Sequence, residues 1–230
     1  AEATILARAA ALGAPVRLSG RDWCLEDDGT YAGPRWRLPL PTPALTGAHQ
    51  RENAALALAA LESLDDPAVT AAAAIQGVAT ARWPGRLQDL TGSIDLPAGW
   101  RLWLDGGHNP AAGRALADWA AGRGRPLHLV GAMLKVKDAR GFLGPLAPRA
   151  ASHTAIPMPD GHVALSPDEL AQVARAAGMP SVDTAPDWRA AVAGVVENAS
   201  SPGDILICGS LYLAGQVLGN IPPPNLFGSS

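Results

Sequence analysis

Lysine is nearly absent from this chain. Of 230 residues only Lys135 and Lys137 are lysine, and the other sixteen basic residues are arginine. No basic run and no basic stripe with interleaved aromatics occurs, and the net charge is −3. That balance argues against a general nucleic-acid binder or a binder of acidic membrane surfaces. Cysteine occurs twice, at Cys24 and Cys208, with no Cys-x-x-Cys or Cys/His ligand spacing. A zinc site is not expected, and two distant thiols fit a reduced, cytoplasmic protein better than a disulfide scaffold. No apolar run approaches the roughly 20 residues a membrane span requires. The opening residues, Ala1-Glu2-Ala3-Thr4-Ile5, lack the basic and apolar regions of a signal peptide. Nowhere does glycine precede lysine, so the chain holds no phosphate-cradling loop of that type.

What is present is a large apolar fraction, 48%, enough for a sizeable core. Residues 3–12 have helical spacing and stop at Gly13. Val16-Arg17-Leu18 reads as a short strand. The stretches 23–25 and 31–38 flank Asp27-Asp28-Gly29, a hairpin signal. Pro39 to Pro43 must be extended. A strong alanine/leucine helix follows, opened by Leu45 to Asn53 and ending near Ser63. Asp65-Asp66-Pro67 reads as the cap and start of another helix, about 68–78. Trp83-Pro84-Gly85-Arg86-Leu87-Gln88 then breaks the helical pattern, which places a domain boundary near Ala81, between residues 1–81 and 82–230.

Beyond that boundary strands and helices alternate. Strands are expected at 87–90, 102–104, 127–130, 152–156, 181–182 and 204–208. Helices are expected at 111–121, 138–147, 166–177, 186–197 and 210–218. Short apolar strands separated by helices imply an α/β domain with a mainly parallel, doubly wound sheet. The most informative stretch is Leu104-Asp105-Gly106-Gly107-His108-Asn109-Pro110. It is a strand end, a glycine turn and a helix start with Pro at the first position. Ligands in open α/β sheets sit beyond such strand ends. An ordinary connection with a surface acid fits the same letters.

Three polar constellations stand in order: His49-Gln50 with Asn53, then Pro84-Gly85-Arg86, then Asp105 with His108. An amide can read an adenine edge, an arginine can hold phosphate through forked bonds, and an acid can take a ribose hydroxyl. Each residue also has a plainer reading: Asn53 and Arg86 as surface side chains, His49 as a structural histidine.

Taken together, these motifs resemble folylpolyglutamate synthase/dihydrofolate synthase, a branch of the ATP-dependent Mur ligase superfamily. Two later segments are similar as well. Gly131-Ala132-Met133-Leu134-Lys135-Val136-Lys137-Asp138 resembles the family's glycine strand end followed by Asp-Lys-Asp. Cys208-Gly209-Ser210-Leu211-Tyr212 resembles its Gly-Ser-Leu-Tyr segment. The resemblance implies a Rossmann-like C-terminal ligase domain at 82–230, preceded at 1–81 by the C-terminal remnant of an α/β P-loop ATPase domain. It implies the joining of L-glutamate to dihydropteroate or a folate through an acyl phosphate made from ATP. By that resemblance Asn53, Arg86 and Asp105 contact the nucleotide, His108 lies near the transferred phosphoryl or the incoming glutamate, and Ser210 helps seat glutamate at a helix start.

The departures are Gly107 in place of alanine, Val136 in place of the first acid of Asp-Lys-Asp, and the missing Gly-Lys loop. Asp138 matches but reads better as a helix N-cap, and Ser210 fits an N-cap too. The magnesium ligands of the family find no match, so they are expected upstream, in a part of the ligase that this sequence does not contain. No metal ligand is expected in the chain itself. Such a portion should not turn over alone. Its first 81 residues should present apolar faces, with dimerisation through them as an expectation. Competing readings are another Mur-type amino-acid ligase acting on a cell-wall nucleotide precursor, and a non-catalytic domain that kept the fold. A dinucleotide-binding domain is disfavoured, because no Gly-x-Gly-x-x-Gly follows the first strand of the second domain.

Overall fold

A computed structural model describes residues 2–64, 66–159 and 161–221. The chain divides into two compact units, Ala1–Arg82 and Trp83–Ser230.

In the first unit, α1 (Glu2–Leu12) ends at Gly13, whose φ of +62° suits glycine. β1 (Cys24–Leu25) and β2 (Thr30–Ala32) form the expected hairpin, with Leu25 opposite Tyr31. Asp28 accepts the Thr30 N–H at 2.8 Å inside the turn. The expected strand at 31–38 is interrupted. After a turn at Gly33 and Pro34 the chain folds back as β3 (Arg37–Pro39), antiparallel to β2, since Pro34 has no N–H for a ladder. Val16 to Leu18 is not a strand: the Asp22 carboxylate takes the Leu18 N–H at 2.8 Å, and a single bridge, Ser19 to Trp23, remains.

α2 (Gln50–Ser63) ends where the sequence indicates. α3 (Ala71–Thr80) starts later than expected. Asp66 serves a turn instead, accepting the Ala68 N–H at 2.8 Å, and Thr70 caps the helix through Ala73. Asp65, read as part of that cap, lies outside the described residues, as does Gly228-Ser229-Ser230. The unit's core gathers Tyr31, Trp36, Leu58 and Val78 around one buried carboxylate. Glu62 accepts the Tyr31 hydroxyl at 2.7 Å and the N–H groups of Arg35 and Trp36 at 2.9 and 2.6 Å. Burial and that bond to Glu62 push the Tyr31 phenol well above its usual range. Ile5, Leu12, Leu56 and Leu64 stay exposed in this unit.

The second unit contains β4 (Gln88–Asp89), β5 (Arg101–Leu104), α4 (Pro110–Ala121), β6 (Leu127–Gly131), α5 (Ala139–Leu143), β7 (Ala150–Ala155), α6 (Pro167–Ala176), β8 (Val182–Thr184), α7 (Trp188–Asn198), β9 (Asp204–Cys208) and α8 (Leu211–Gly219). The sheet has six strands in the order β4-β5-β9-β6-β7-β8. Only the β4–β5 pairing is antiparallel. The fold is therefore α/β with a mostly parallel sheet. The last strand lies at the sheet's centre, between β5 and β6. All five β9 residues are buried, and Ile205 to Cys208 form a run apolar on both faces. Side chains alternate between two cores. Trp103, Leu129 and Leu206 pack under α4, α5 and α6. Leu102, Val130 and Ile205 pack under α7 and α8. α5 is half its expected length, because Gly144 and Pro145 follow it at once. Asp138 is its N-cap, accepting the Gly141 N–H at 2.8 Å.

β6 and β7 also carry buried histidines. His153 is 1% exposed, with its Nδ1 unpartnered. Burial pushes its pKa from 6.5 down to about 4, and lowers that of His128 as well. A folded-state pKa below the unfolded one means the unfolded chain takes up the proton first as pH falls. Stability is then complete above pH 6.5 and declines below it, by about 1.4 kcal/mol per pH unit and per fully shifted group. Urea denaturation of this chain is expected to show about 1.5 kcal/mol lost between pH 6.5 and pH 5 from His153, with His128 adding in the same direction. A flat profile over that interval would contradict a neutral His153.

Candidate functional site

The site is set by topology. β5 and β9 are parallel neighbours, yet α4 leaves β5 for one face of the sheet and α8 leaves β9 for the other. Where neighbouring strands send their helices to opposite faces, a crevice opens beyond their carboxyl ends. Asp105 to His108 and Gly209-Ser210 line that crevice.

Backbone hydrogen bonds stitch three segments together there. The Asp105 N–H donates to Ile207 at 2.9 Å, Gly106 to Gly85 at 2.8 Å, and Gly209 to Gly107 at 2.9 Å. Asp105 is 6% exposed. Its Oδ2 accepts the Leu87 N–H at 2.9 Å and its Oδ1 accepts the Gly107 N–H at 2.6 Å. Leu87 has φ +38°, the one positive φ among described non-glycine residues. A leucine there is strained by roughly 1–2 kcal/mol, and the Asp105 carboxylate holds it. Arg86 stands between Gly85 and Leu87, both pinned by the Asp105–Gly106 corner. Its side chain is exposed and forms no ion pair among the described residues. Gly209 has φ +100°, and a Cβ there would lie 2.7 Å from the Ala132 carbonyl oxygen, so only glycine fits.

His108 and Ser210 face one cavity of about 310 Å³, lined also by Leu134, Lys137, Leu211 and Tyr212. His108 Nδ1 lies 2.9 Å from the Gly106 carbonyl oxygen. That oxygen can only accept, so Nδ1 is the donor, which fixes the tautomer whose Nε2 can carry a lone pair. Ser210 caps α8, accepting the Tyr212 N–H at 3.1 Å. The capping bond uses an oxygen lone pair and leaves the hydroxyl proton able to donate. Lys137 matches the Asp-Lys-Asp segment in the sequence but is given no role there. Lys135 pairs with Glu169 at 3.1 Å, whereas Lys137 has no carboxylate partner among the described residues and faces the cavity. Two signals pointed to it, the motif match and scarcity, since these are the chain's two lysines.

The structure thus brings His108 and Ser210 together and puts Asp105 beneath them. Arg86 sits on the adjoining loop and does not line the cavity. Asn53 belongs to the first unit. Its Nδ2 donates to Gln50 Oε1 at 3.0 Å, and Gln50 Nε2 lies 2.9 Å from His49 Nε2. Gln50 and Asn53 border a separate, mostly apolar cavity of about 420 Å³, lined also by Pro43, Leu45, Leu58 and Val78. Among the described residues no three His, Cys, Asp or Glu side chains assemble to hold a metal ion, and no helix is long and apolar enough to cross a membrane.

Comparison with known proteins places this geometry. A family model described as Mur ligase, glutamate ligase domain, matches residues 85–211. A probable bifunctional folylpolyglutamate synthase/dihydropteroate synthase of Halobacterium salinarum is 30% identical over 200 residues, which are 81% of this chain and 22% of that protein. A bifunctional folylpolyglutamate synthase/dihydrofolate synthase from Yersinia pestis, solved with AMPPNP and a Mn ion, superposes with a TM-score of 0.75 at 28% identity, over 94% of this chain and 50% of its own. A Mycobacterium tuberculosis folylpolyglutamate synthase, solved with ADP and AMPPCP, superposes with a TM-score of 0.74 at 27% identity, over 100% of this chain and 53% of its own. The chain spans about half the length of these solved relatives and 22% of the curated one.

Proposed function

We propose, because this chain belongs to the Mur ligase family and carries its glutamate ligase domain at residues 85–211, that it is part of an ATP-dependent ligase joining L-glutamate to dihydropteroate or a folate. The observation that carries this reading is the cavity at the β5–β9 crevice. It unites an imidazole, a lysine with no carboxylate partner among the described residues and a helix start beside a pinned, exposed arginine.

The chemistry runs in two displacements. A carboxylate oxygen of the acid attacks the γ-phosphorus of ATP and ADP leaves, giving an acyl phosphate. The glutamate nitrogen then attacks the acyl carbon, and inorganic phosphate departs with the former carboxylate oxygen. Arg86, held out by its flanking residues, balances phosphate charge through forked hydrogen bonds. Asp105 fixes the Arg86 loop on the nucleotide side. Asn53, on the first unit, carries an amide of the kind that reads an adenine edge and borders the apolar α2–α3 cavity of that unit. His108 Nε2 is placed to take the proton the amine loses. Ser210 and the first N–H groups of α8 seat one glutamate carboxylate, and Lys137 the other. ATP is a substrate in this scheme. The described residues do not form a magnesium site, so none of these steps is routed through the metal.

The chain alone does not turn over, since it has no Gly-Lys phosphate loop and phosphoryl transfer depends on placed charge. Its exposed Ile5, Leu12, Leu56 and Leu64 give it an apolar surface through which copies can associate. The test is ATP-dependent incorporation of labelled L-glutamate by the full-length protein. Dihydropteroate and a muramoyl nucleotide are offered in parallel, with the 230-residue chain as a third arm. Incorporation into dihydropteroate alone, with no ADP released by the short chain, is the expected outcome. Incorporation only into the nucleotide would move the protein to the cell-wall branch, and turnover by the chain itself would overturn the dependence on a phosphate loop.

A further inference from the structure

Five large apolar side chains of the second unit are strongly exposed among the described residues: Trp83, Val136, Val163, Leu211 and Tyr212. Surface hydrophobics normally scatter singly. Here all but Trp83 belong to the segments around one cavity mouth. Leu211 and Tyr212 are the first turn of α8 and line the cavity itself. Val136 lies in the turn between two other lining residues, Leu134 and Lys137. Val163 is tied to that turn, its carbonyl accepting the Lys135 N–H at 3.1 Å while Leu134 bridges to Ala164. The neighbouring His162 ring stacks on Tyr212 with centroids 3.7 Å apart and planes 27° from parallel. Val136 is 82% exposed and Val163 75%. Val136 stands where the motif resemblance leads one to expect an acid, so the rim here is apolar in place of charged.

The interior of the cavity has the opposite character, with His108, Lys137 and Ser210. An occupant that satisfies both is charged at its inner end and flat and apolar at its outer end. Resting on the ligase reading above, the bond-forming nitrogen enters with the amino acid, so the acyl carbon meets it at the mouth. Whatever ring adjoins the reacting carboxyl then lies on the rim. We propose that the His162–Tyr212 stack, with Val136 and Val163, is the platform that holds this ring. These residues are then specificity determinants that favour aryl acids over aliphatic ones, by stacking and by burial of their exposed apolar surface.

The test is calorimetric titration of the 230-residue chain with p-aminobenzoyl-L-glutamate and with N-acetyl-L-glutamate. The two share the glutamyl end and differ in the ring. The aryl compound is expected to bind about tenfold tighter. Tyr212→Ala, Val136→Asp and Val163→Asp should each lower that ratio. Both valines are solvent-facing, so a folding defect does not confuse the result, and circular dichroism checks it. Equal affinities, or a ratio that no variant changes, would overturn the platform while leaving the glutamate pocket standing. Failure of both compounds to bind at millimolar concentration would overturn the glutamate reading of the cavity, and the platform with it.

Discussion

Replacing Asp105 with alanine is expected to destabilise the chain by about 2–5 kcal/mol and to lower ligase activity of the full-length protein at least about a hundredfold. The stability loss comes from two buried donors. The Leu87 and Gly107 N–H groups give their hydrogen bonds to this carboxylate at 2.9 and 2.6 Å. Alanine leaves both without their acceptor in a place water reaches poorly, and a buried unsatisfied donor costs roughly 1–3 kcal/mol. Leu87 would also be freed from its left-handed conformation, which the carboxylate maintains. The activity loss follows from position. Arg86 precedes Leu87, and His108 follows Gly107, so one side chain orients the segments that carry both. Displacement of about 1 Å in such groups is enough for a loss of that size. Asp105→Asn keeps one acceptor oxygen and turns the other into a donor facing an N–H, so it is expected to fall between the two. Urea denaturation and initial rates check both. A variant within about 1 kcal/mol of the parent would show that the carboxylate does not organise the loops.

Asp204→Ala is expected to cost about 3–5 kcal/mol without touching the chemistry. Asp204 opens β9 and is 1% exposed. Its Oδ2 lies 2.9 Å from Arg123 Nε, its Oδ1 accepts Trp103 Nε1–H at 3.3 Å, and Arg125 Nε is also 3.3 Å from Oδ1. Arg123 lies over Trp103 and Trp119, at 4.7 and 5.4 Å from their ring centroids. Removing the carboxylate leaves guanidinium charge on two aromatic faces and strands the indole N–H. Two charges taken from water gain little net stability, but removing one of them alone is strongly unfavourable. Arg123 is a quarter exposed and can turn toward solvent, which sets the lower end of the range. A double-mutant cycle with Arg123→Ala isolates the pair. Asp204 starts β9 and Ser210 lies beyond its other end, a strand that rises about 13 Å from Asp204 to Cys208, so KM for glutamate should not move. A loss below about 1 kcal/mol would mean that the network forms equally well in the unfolded reference or not at all.

The elements most legible from the letters were the buried strands. Leu102 to Leu104, Leu127 to Val130 and Asp204 to Cys208 are mostly apolar runs bounded by turn residues, and each forms a strand where expected. The βα corner at Asp105 to Pro110 was legible too, because paired glycines end the apolar run and proline, with its fixed φ, suits the first position of a helix. What escaped was decided by partners distant in sequence or by local competition. Leu18 lost its strand N–H to the Asp22 side chain. Asp66 served a turn, so α3 waited for Thr70. No local pattern states that β9 inserts between β5 and β6, yet that insertion brings the Leu134 to Lys137 turn alongside the start of α8 and creates the cavity. Lys137, Val136 and Tyr212 could be seen as letters, but their common address could not.

The proposed acyl phosphate at this site can be followed by isotope through the displaced oxygen. The full-length protein is given ATP, L-glutamate and dihydropteroate labelled with ¹⁸O in both carboxylate oxygens. Inorganic phosphate carrying one ¹⁸O for every amide formed is expected, because the attacking oxygen leaves with the phosphate. Unlabelled phosphate alongside amide product would contradict it, since the carboxylate would then have been activated by another route.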